Sequence, residues 1–175
     1  MYFASFPLIP YDSVGDGNFK LVTNLLKRVA LRSKVRSNTL LFDTYNVKEG
    51  QTPEIIADKL YGDPNLHWIV LYVNNITDRY HDWPLSTPQF LDMIDEKYDN
   101  VDAIHHYEIT QSSGSDKVKI DIGTDNTDYP SATPITNYEF ELERQNTISR
   151  IRLLDPAYIS RFVEEFESLM KESIL

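Results

Sequence analysis

The sequence predicts an α+β fold, and three observations carry that prediction. Four segments open with an oxygen-bearing residue followed by proline: Thr52-Pro53, Asp63-Pro64, Thr87-Pro88 and Asp155-Pro156. This pairing starts helices, because the side-chain oxygen accepts from unpaired amides and proline at the first position removes one that had no partner. Shorter stretches with a period of two residues lie before, between and after these segments, around Leu40 to Lys48, Ile104 to Gln111, Lys117 to Ile122 and Ile148 to Leu154. Hydrophobic residues make up 41% of the 175 and glycine is scarce at 6, so the chain can bury a real core.

Residues 1 to about 19 read as an extended arm. Pro7 and Pro10 interrupt any helix there, and Tyr2, Phe3, Phe6, Leu8, Ile9 and Tyr11 are too apolar for a free tail. Two uses of the arm stay open: it covers its own core, or it docks on another chain. Asp12 to Asn18, with Gly15 and Gly17, reads as a turn-rich hinge. From Phe19 to Val35 the positions of Leu21, Val22, Leu25, Leu26 and Val29 predict a helix. Its far end gathers Lys27, Arg28, Arg32, Lys34 and Arg36, cations favoured by the macrodipole of a helix C-terminus or suited to an acidic partner.

Leu40 to Lys48 is predicted as a strand and Gly50 as the turn after it. The helix from about 53 to 61 is expected to put Ile55, Ile56, Ala57, Leu60 and Tyr61 inward, with Gly62 as its terminator. A second helix from about 64 to 73 is apolar almost all round, so it should form the buried centre. Asn74-Asn75 ends it. Tyr80 to Leu85 reads as an aromatic loop or short strand. Thr87 opens a helix to about Tyr98, and two strands form a hairpin through Ser112 to Asp116. Residues 123–135 read as a polar surface loop. Thr136 to Glu139 has the spacing of a capping box, which fits a helix to about Gln145, although Tyr138 to Leu142 also alternates like a strand. The last helix carries Ile159, Phe162, Val163, Phe166, Leu169 and Met170 on one stripe.

Composition narrows function. Cysteine is absent, which excludes disulfides, thiol nucleophiles and cysteine-ligated zinc. With 27 acidic against 17 basic residues the net charge is −10, so phosphate backbones and anionic lipid are expected to be poor partners. The start of the chain lacks a basic region followed by a long apolar stretch, so no signal peptide is expected. The longest apolar run, Trp68 to Val73, is too short to span a membrane. No glycine-rich phosphate loop or nucleophile elbow occurs. His67 reads as a packed or interface histidine beside Trp68. His81-Asp82 lacks a third partner, and His105-His106 would point to opposite faces of a strand. Glu164, Glu165 and Glu167 read as a solvated helix face. No catalytic residue, metal ligand or cofactor site is expected.

Two resemblances sharpen this picture. Tyr45-Asn46-Val47-Lys48-Glu49-Gly50-Gln51-Thr52, with Ile55-Ile56-Ala57, Leu60-Tyr61-Gly62 and Asn74-Asn75, resembles a LysM module, whose β-α-α-β unit in many members binds N-acetylglucosamine polymers. The closing Pro-Gly-x-x-Leu of such modules is replaced here by the Tyr80 to Pro84 segment. A longer pattern covers nearly the whole chain. Thr52-Pro53-Glu54, Tyr61-Gly62-Asp63-Pro64, Leu66-His67-Trp68, Asn74-Asn75 and Asp82-Trp83-Pro84, with Phe6 to Tyr11 near the start, resemble the baseplate wedge proteins of T-even-type contractile-tailed bacteriophages.

That resemblance implies a LysM-like β-α-α-β core at 40–100, an N-terminal arm and helix at 1–39, and a C-terminal hairpin and amphipathic helix at 101–175. It implies a non-enzymatic structural subunit of the virion tail baseplate, assembled in the host cytoplasm and present in multiple copies in a ring. Its partners would be other wedge proteins of the same tail. The expected interface residues are Tyr2, Phe3, Phe6, Leu8, Ile9, Tyr11, Tyr80 and Trp83. The alternative is a peptidoglycan-binding module of a cell-wall-associated protein.

Overall fold

In the computed structural model, which describes residues 2–30, 39–111 and 118–172, the chain is α+β. Two compact units share it. The first comprises Met1–Asn46, Gln51–Tyr80 and Ile151–Leu175, and the second comprises Val47–Gly50 and His81–Arg150.

The first unit begins with a 3₁₀ turn, Tyr2–Ser5, and a hairpin of β1 (Leu8–Tyr11) and β2 (Lys20–Thr23). The strands pair antiparallel, Leu8 opposite Thr23 and Tyr11 opposite Lys20. The helix expected over 19–35 is therefore not what Lys20–Thr23 forms. Residues 31–38 of that segment lie outside the described ones. The cause is the preceding turn. The Asp12 carboxylate accepts from the N–H groups of Val14, Gly15 and Gly17 at 3.1, 2.7 and 2.8 Å. Gly15 and Gly17 take φ of 78° and 81°, values that cost side-chain-bearing residues heavily. The reversal lays residues 20–23 along 8–11, and pairing with a distant strand overrides local helical spacing.

A 3₁₀ turn at Thr39–Leu41 leads into β3 (Phe42–Asn46). Helix α1 (Pro53–Tyr61) follows, with Thr52 Oγ1 accepting the Ile55 N–H at 3.4 Å. Gly62 closes it in the left-handed region at φ 73°. Ile56 and Ala57 are fully buried, but Ile55 is half exposed, because at 100° per residue it falls off the face that Pro53, Ile56, Ala57 and Leu60 share. A 3₁₀ turn, Pro64–Leu66, capped by Asp63, passes into α2 (His67–Val73). Trp68, Ile69, Val70 and Val73 of α2 are buried, as expected of the central helix.

The LysM resemblance implies a closing strand soon after α2. The strand that pairs with β3 instead comes from Arg150–Leu154. The Val47 N–H donates to the Ser149 carbonyl at 2.9 Å and the Asp155 N–H to the Leu41 carbonyl at 3.1 Å, so the two strands run antiparallel. Asn74 secures that late strand. Its Nδ2 donates to the carbonyls of Val70 and Arg152, and its Oδ1 accepts the Arg152 N–H, at 2.8, 2.7 and 2.8 Å. One side-chain amide thus caps α2 and bonds the strand as a neighbouring backbone would.

The second unit contains α3 (Thr87–Lys97), β4 (Ile104–Thr110), β5 (Lys119–Asp121), β6 (Thr133–Thr136) and α4 (Asn137–Ser149). Ser86, one residue before the expected cap, starts α3 and shares hydrogen bonds with Gln89. The hairpin of β4 and β5 forms as expected, and its turn lies outside the described residues. A third strand, β6, completes the order β5-β4-β6. Residues 133–136 are thus an edge strand, not loop, and Pro134 is tolerated there because an edge has no second ladder to satisfy. Thr136 and Glu139 form the expected capping box, with Thr136 N–H to Glu139 at 2.9 Å and Glu139 N–H to Thr136 Oγ1 at 3.2 Å. The helix wins over the strand reading and runs on to Ser149.

Within α4, Glu141 is completely buried, with Lys97 Nζ at 2.5 Å and Tyr98 Oη at 2.9 Å from one of its oxygens. Burial pushes this carboxyl upward. The bonds from Lys97 and Tyr98 and the Lys97 charge outweigh it and hold the group below the usual carboxylate range.

The chain returns to the first unit in β7 (Arg150–Leu154), then a 3₁₀ turn Pro156–Tyr158 and α5 (Ile159–Glu172). Phe166 and Met170 of α5 join Phe6, Trp68, Ile69, Val73 and Leu154 in the core cluster.

Replacing Asn74 by alanine removes the three hydrogen bonds that join α2 to the late strand, so it should cost about 1–2 kcal/mol in denaturant unfolding. Burial pushes the phenols of Tyr61 and Tyr72 up to about 12, with a smaller push on Tyr72 from Tyr2. Above the ordinary value of 10.0 the unfolded chain gives up protons that the folded chain keeps. The stability they contribute is therefore complete below that pH and falls as pH rises toward 12. Thermal melting across this window should show that decline, and Tyr61→Phe should flatten it.

Candidate interaction surface

The arm presents two sides because of its first turn. Tyr2 and Phe6, four residues apart, point inward together. The Tyr2 ring lies 5.2 Å from Trp68, 5.5 Å from Phe166 and 5.0 Å from Phe6. Ser5 Oγ donates to Glu167 at 3.2 Å and ties the turn to α5. Phe3, between them in sequence, is 59% exposed and rests against both rings, 5.2 Å from Tyr2 and 5.5 Å from Phe6.

Beyond Phe6 the hairpin turns apolar groups to water. Leu8 and Tyr11 of β1 are exposed, Ile9 is half-buried, and every residue of β2 is exposed. Phe19, Leu21, Leu25 and Leu26 are 67, 71, 62 and 91% exposed. These four were expected, for the most part, on the buried stripe of a helix. In a two-stranded ribbon without a covering layer they remain outside. Single exposed leucines are ordinary, whereas several along one segment are not. Lys27 and Tyr72 anchor the end of the segment: Lys27 Nζ donates to the Met170 carbonyl and the Tyr72 hydroxyl to that of Val29.

The expected interface residues therefore fall into three groups. Phe3, Leu8, Tyr11 and Tyr80 are exposed, Tyr80 at 84%. Tyr2 and Ile9 are half-buried. Phe6 and Trp83 are buried, at 8 and 7% exposure, and Phe6 belongs to the core cluster of the first unit. The arm therefore covers its own core through Tyr2 and Phe6 and leaves Leu8 and Tyr11 exposed.

A cavity of about 380 Å³ is lined by Tyr2, Arg28, Val29, Tyr72, Asn75 and Ile76, among others, and one cation there faces mostly backbone and phenol groups. His67 is half-buried and its Nδ1 lies 2.9 Å from the Pro64 carbonyl, a local bond at the start of α2. His105 and His106 do not point apart as strand neighbours should. The pairing of β4 with β6 shifts register between Ile104 and His106, and a bulge turns successive side chains together. Their Nδ1 atoms are 2.9 Å apart, and His105 stacks on Phe140 at 3.8 Å. Among the described residues no three histidine or acidic side chains group to hold a metal ion, and no helix is long and apolar enough to cross a membrane.

The chain is 24% identical over 182 residues to the baseplate wedge protein gp53 of Enterobacteria phage T4, an alignment covering 95% of this chain and 87% of that protein. The family model described as base plate wedge protein 53 matches residues 1–169, and the chain belongs to that family.

Proposed function

We propose that this chain, a structural subunit of a phage tail baseplate wedge, works by joining neighbouring wedge proteins through its apolar arm. Family membership supports the structural role, and the observation that carries the mode of action is the exposed outer side of the arm. Apolar anchors pre-positioned on a folded unit lose little freedom on docking, which favours association. Aromatic side chains dominate the energetics of such contacts, and Phe3, Tyr11 and Tyr80 are the exposed candidates. The action is one of surface complementarity without catalysis or cofactor. The partners are other wedge proteins, met in several copies around a ring. Family membership does not favour the cell-wall glycan-binding alternative.

The test must spare Tyr2 and Phe6, because removing the whole arm would also open the chain's own core. The triple variant Phe3→Ser, Leu8→Ser, Tyr11→Ser changes exposed positions, of which Phe3 also gives up ring contacts at 5.2 Å with Tyr2 and 5.5 Å with Phe6. It should still fold, at a loss of about 1–2 kcal/mol of stability. In co-expression with the other tail proteins, its incorporation into wedges should fall about tenfold or more. Normal incorporation of this variant would discard the arm's role.

A further inference from the structure

In the second unit, β4 and α4 meet at a pair of adjacent histidines. The register shift in β4 turns His105 and His106 to one side, and their Nδ1 atoms lie 2.9 Å apart. The His105 ring stacks on Phe140 of α4 at 3.8 Å, and His106, buried, stands edge-on to the same ring. His106 Nε2 faces Glu108 Oε1 at 3.4 Å, and Lys119 of β5 lies 3.1 Å from Glu108 Oε2. Asp121 of β5 and Glu143 and Arg144 of α4 line the same cavity of about 340 Å³ as His106 and Glu108.

Two ring nitrogens share a hydrogen bond only when one carries a hydrogen and the other a lone pair. The Glu108 carboxylate, paired with Lys119, can only accept, so His106 Nε2 carries the hydrogen. A neutral imidazole has one N–H, which leaves His106 Nδ1 bare and makes His105 Nδ1 the donor. A first added proton goes to Nε2 of His105, outside this chain of bonds, and no contact is lost. A second puts a hydrogen on both Nδ1 atoms and sets two cations against each other. We infer that the His105–His106 pair is a proton-operated clasp between β4 and α4, closed while at least one ring is neutral and opened when both are charged. The surrounding charges agree. Glu108, Asp121 and Glu143 against Lys119 and Arg144 leave one negative charge in excess, enough to offset one imidazolium but not two. His105, half-buried where His106 is buried, is the ring that can leave, and with it goes the stack on Phe140. The clasp is independent of the joining role proposed above.

Imidazole tautomers and amide protection, both measured on the full-length protein, test the clasp. Nitrogen NMR at about pH 8, where histidines are mostly neutral, should find the hydrogen on Nδ1 of His105 and on Nε2 of His106. Histidines change charge between about pH 8 and about pH 5. Over that interval the amides of β4 and α4, with exchange corrected for its intrinsic pH dependence, should lose about tenfold or more of their protection. The Glu141 carboxyl is held below the usual carboxylate range, so it stays charged throughout and does not contribute. His105→Phe keeps a ring on Phe140 with no nitrogen to protonate, and its protection should change by less than about twofold. The opposite tautomers, unchanged protection in the parent, or equal loss in parent and variant would each overturn the clasp. If His105→Phe does not fold, the tautomers and exchange of the parent decide alone.

Discussion

The indole of Trp68 is the constraint on which the first unit depends. Three stretches remote from one another in sequence converge on it. The arm supplies Tyr2 at 5.2 Å, the indole's own helix supplies Tyr72 at 6.3 Å, and the final helix supplies Phe166 at 4.7 Å and Phe162 at 6.0 Å. Bringing both ends of the chain to one ring closes loops of more than 60 and more than 90 residues, and loop entropy rises only slowly with length. The cost of such a topology is modest in stability and larger in folding rate. Its consequence is positional. The first residues are fastened to the core through Tyr2 and Phe6, so the hairpin that follows leaves from a fixed place.

That fastening separates two tasks that the sequence mixes. Apolar residues of the arm look alike in a linear reading, and all six were grouped as interface. A 3₁₀ turn sorts them by spacing: Tyr2 and Phe6 are carried inward and Phe3 stays exposed beside them. The spacing was visible in the sequence, but only a turn at residues 2–5 gives it meaning, and Pro7 argued against any helical geometry nearby. Trp83 is a different case: an aromatic followed by proline suggests an exposed loop, whereas its ring is buried.

Local chemistry was the legible part of the fold. Thr52-Pro53 and Asp63-Pro64 placed the starts of two helical segments, Gly62 placed an end, and the Thr136/Glu139 box decided a helix where alternation also suited a strand. What stayed hidden was non-local. Leu21, Val22, Leu25 and Leu26 satisfy helical spacing, yet residues 20–23 are claimed by a strand nine or more residues upstream. The partner of β3 lies more than 100 residues away, and no periodicity in either strand announces it. Glu141 is hidden for the same reason. A glutamate in the second turn of a capped helix reads as solvated, and only Lys97 and Tyr98, supplied by another helix, make its burial tolerable.

An exposed apolar ribbon is a hazard as well as a tool, because unpaired strands and greasy faces invite association between copies. Several features oppose that outcome before assembly. Pro10 removes an N–H from β1, and Lys20 stands at the end of β2, both common devices for blunting an edge. The net charge of −10 keeps copies apart at long range. On the joining role proposed above, these features hold copies apart until a complementary neighbour covers the ribbon.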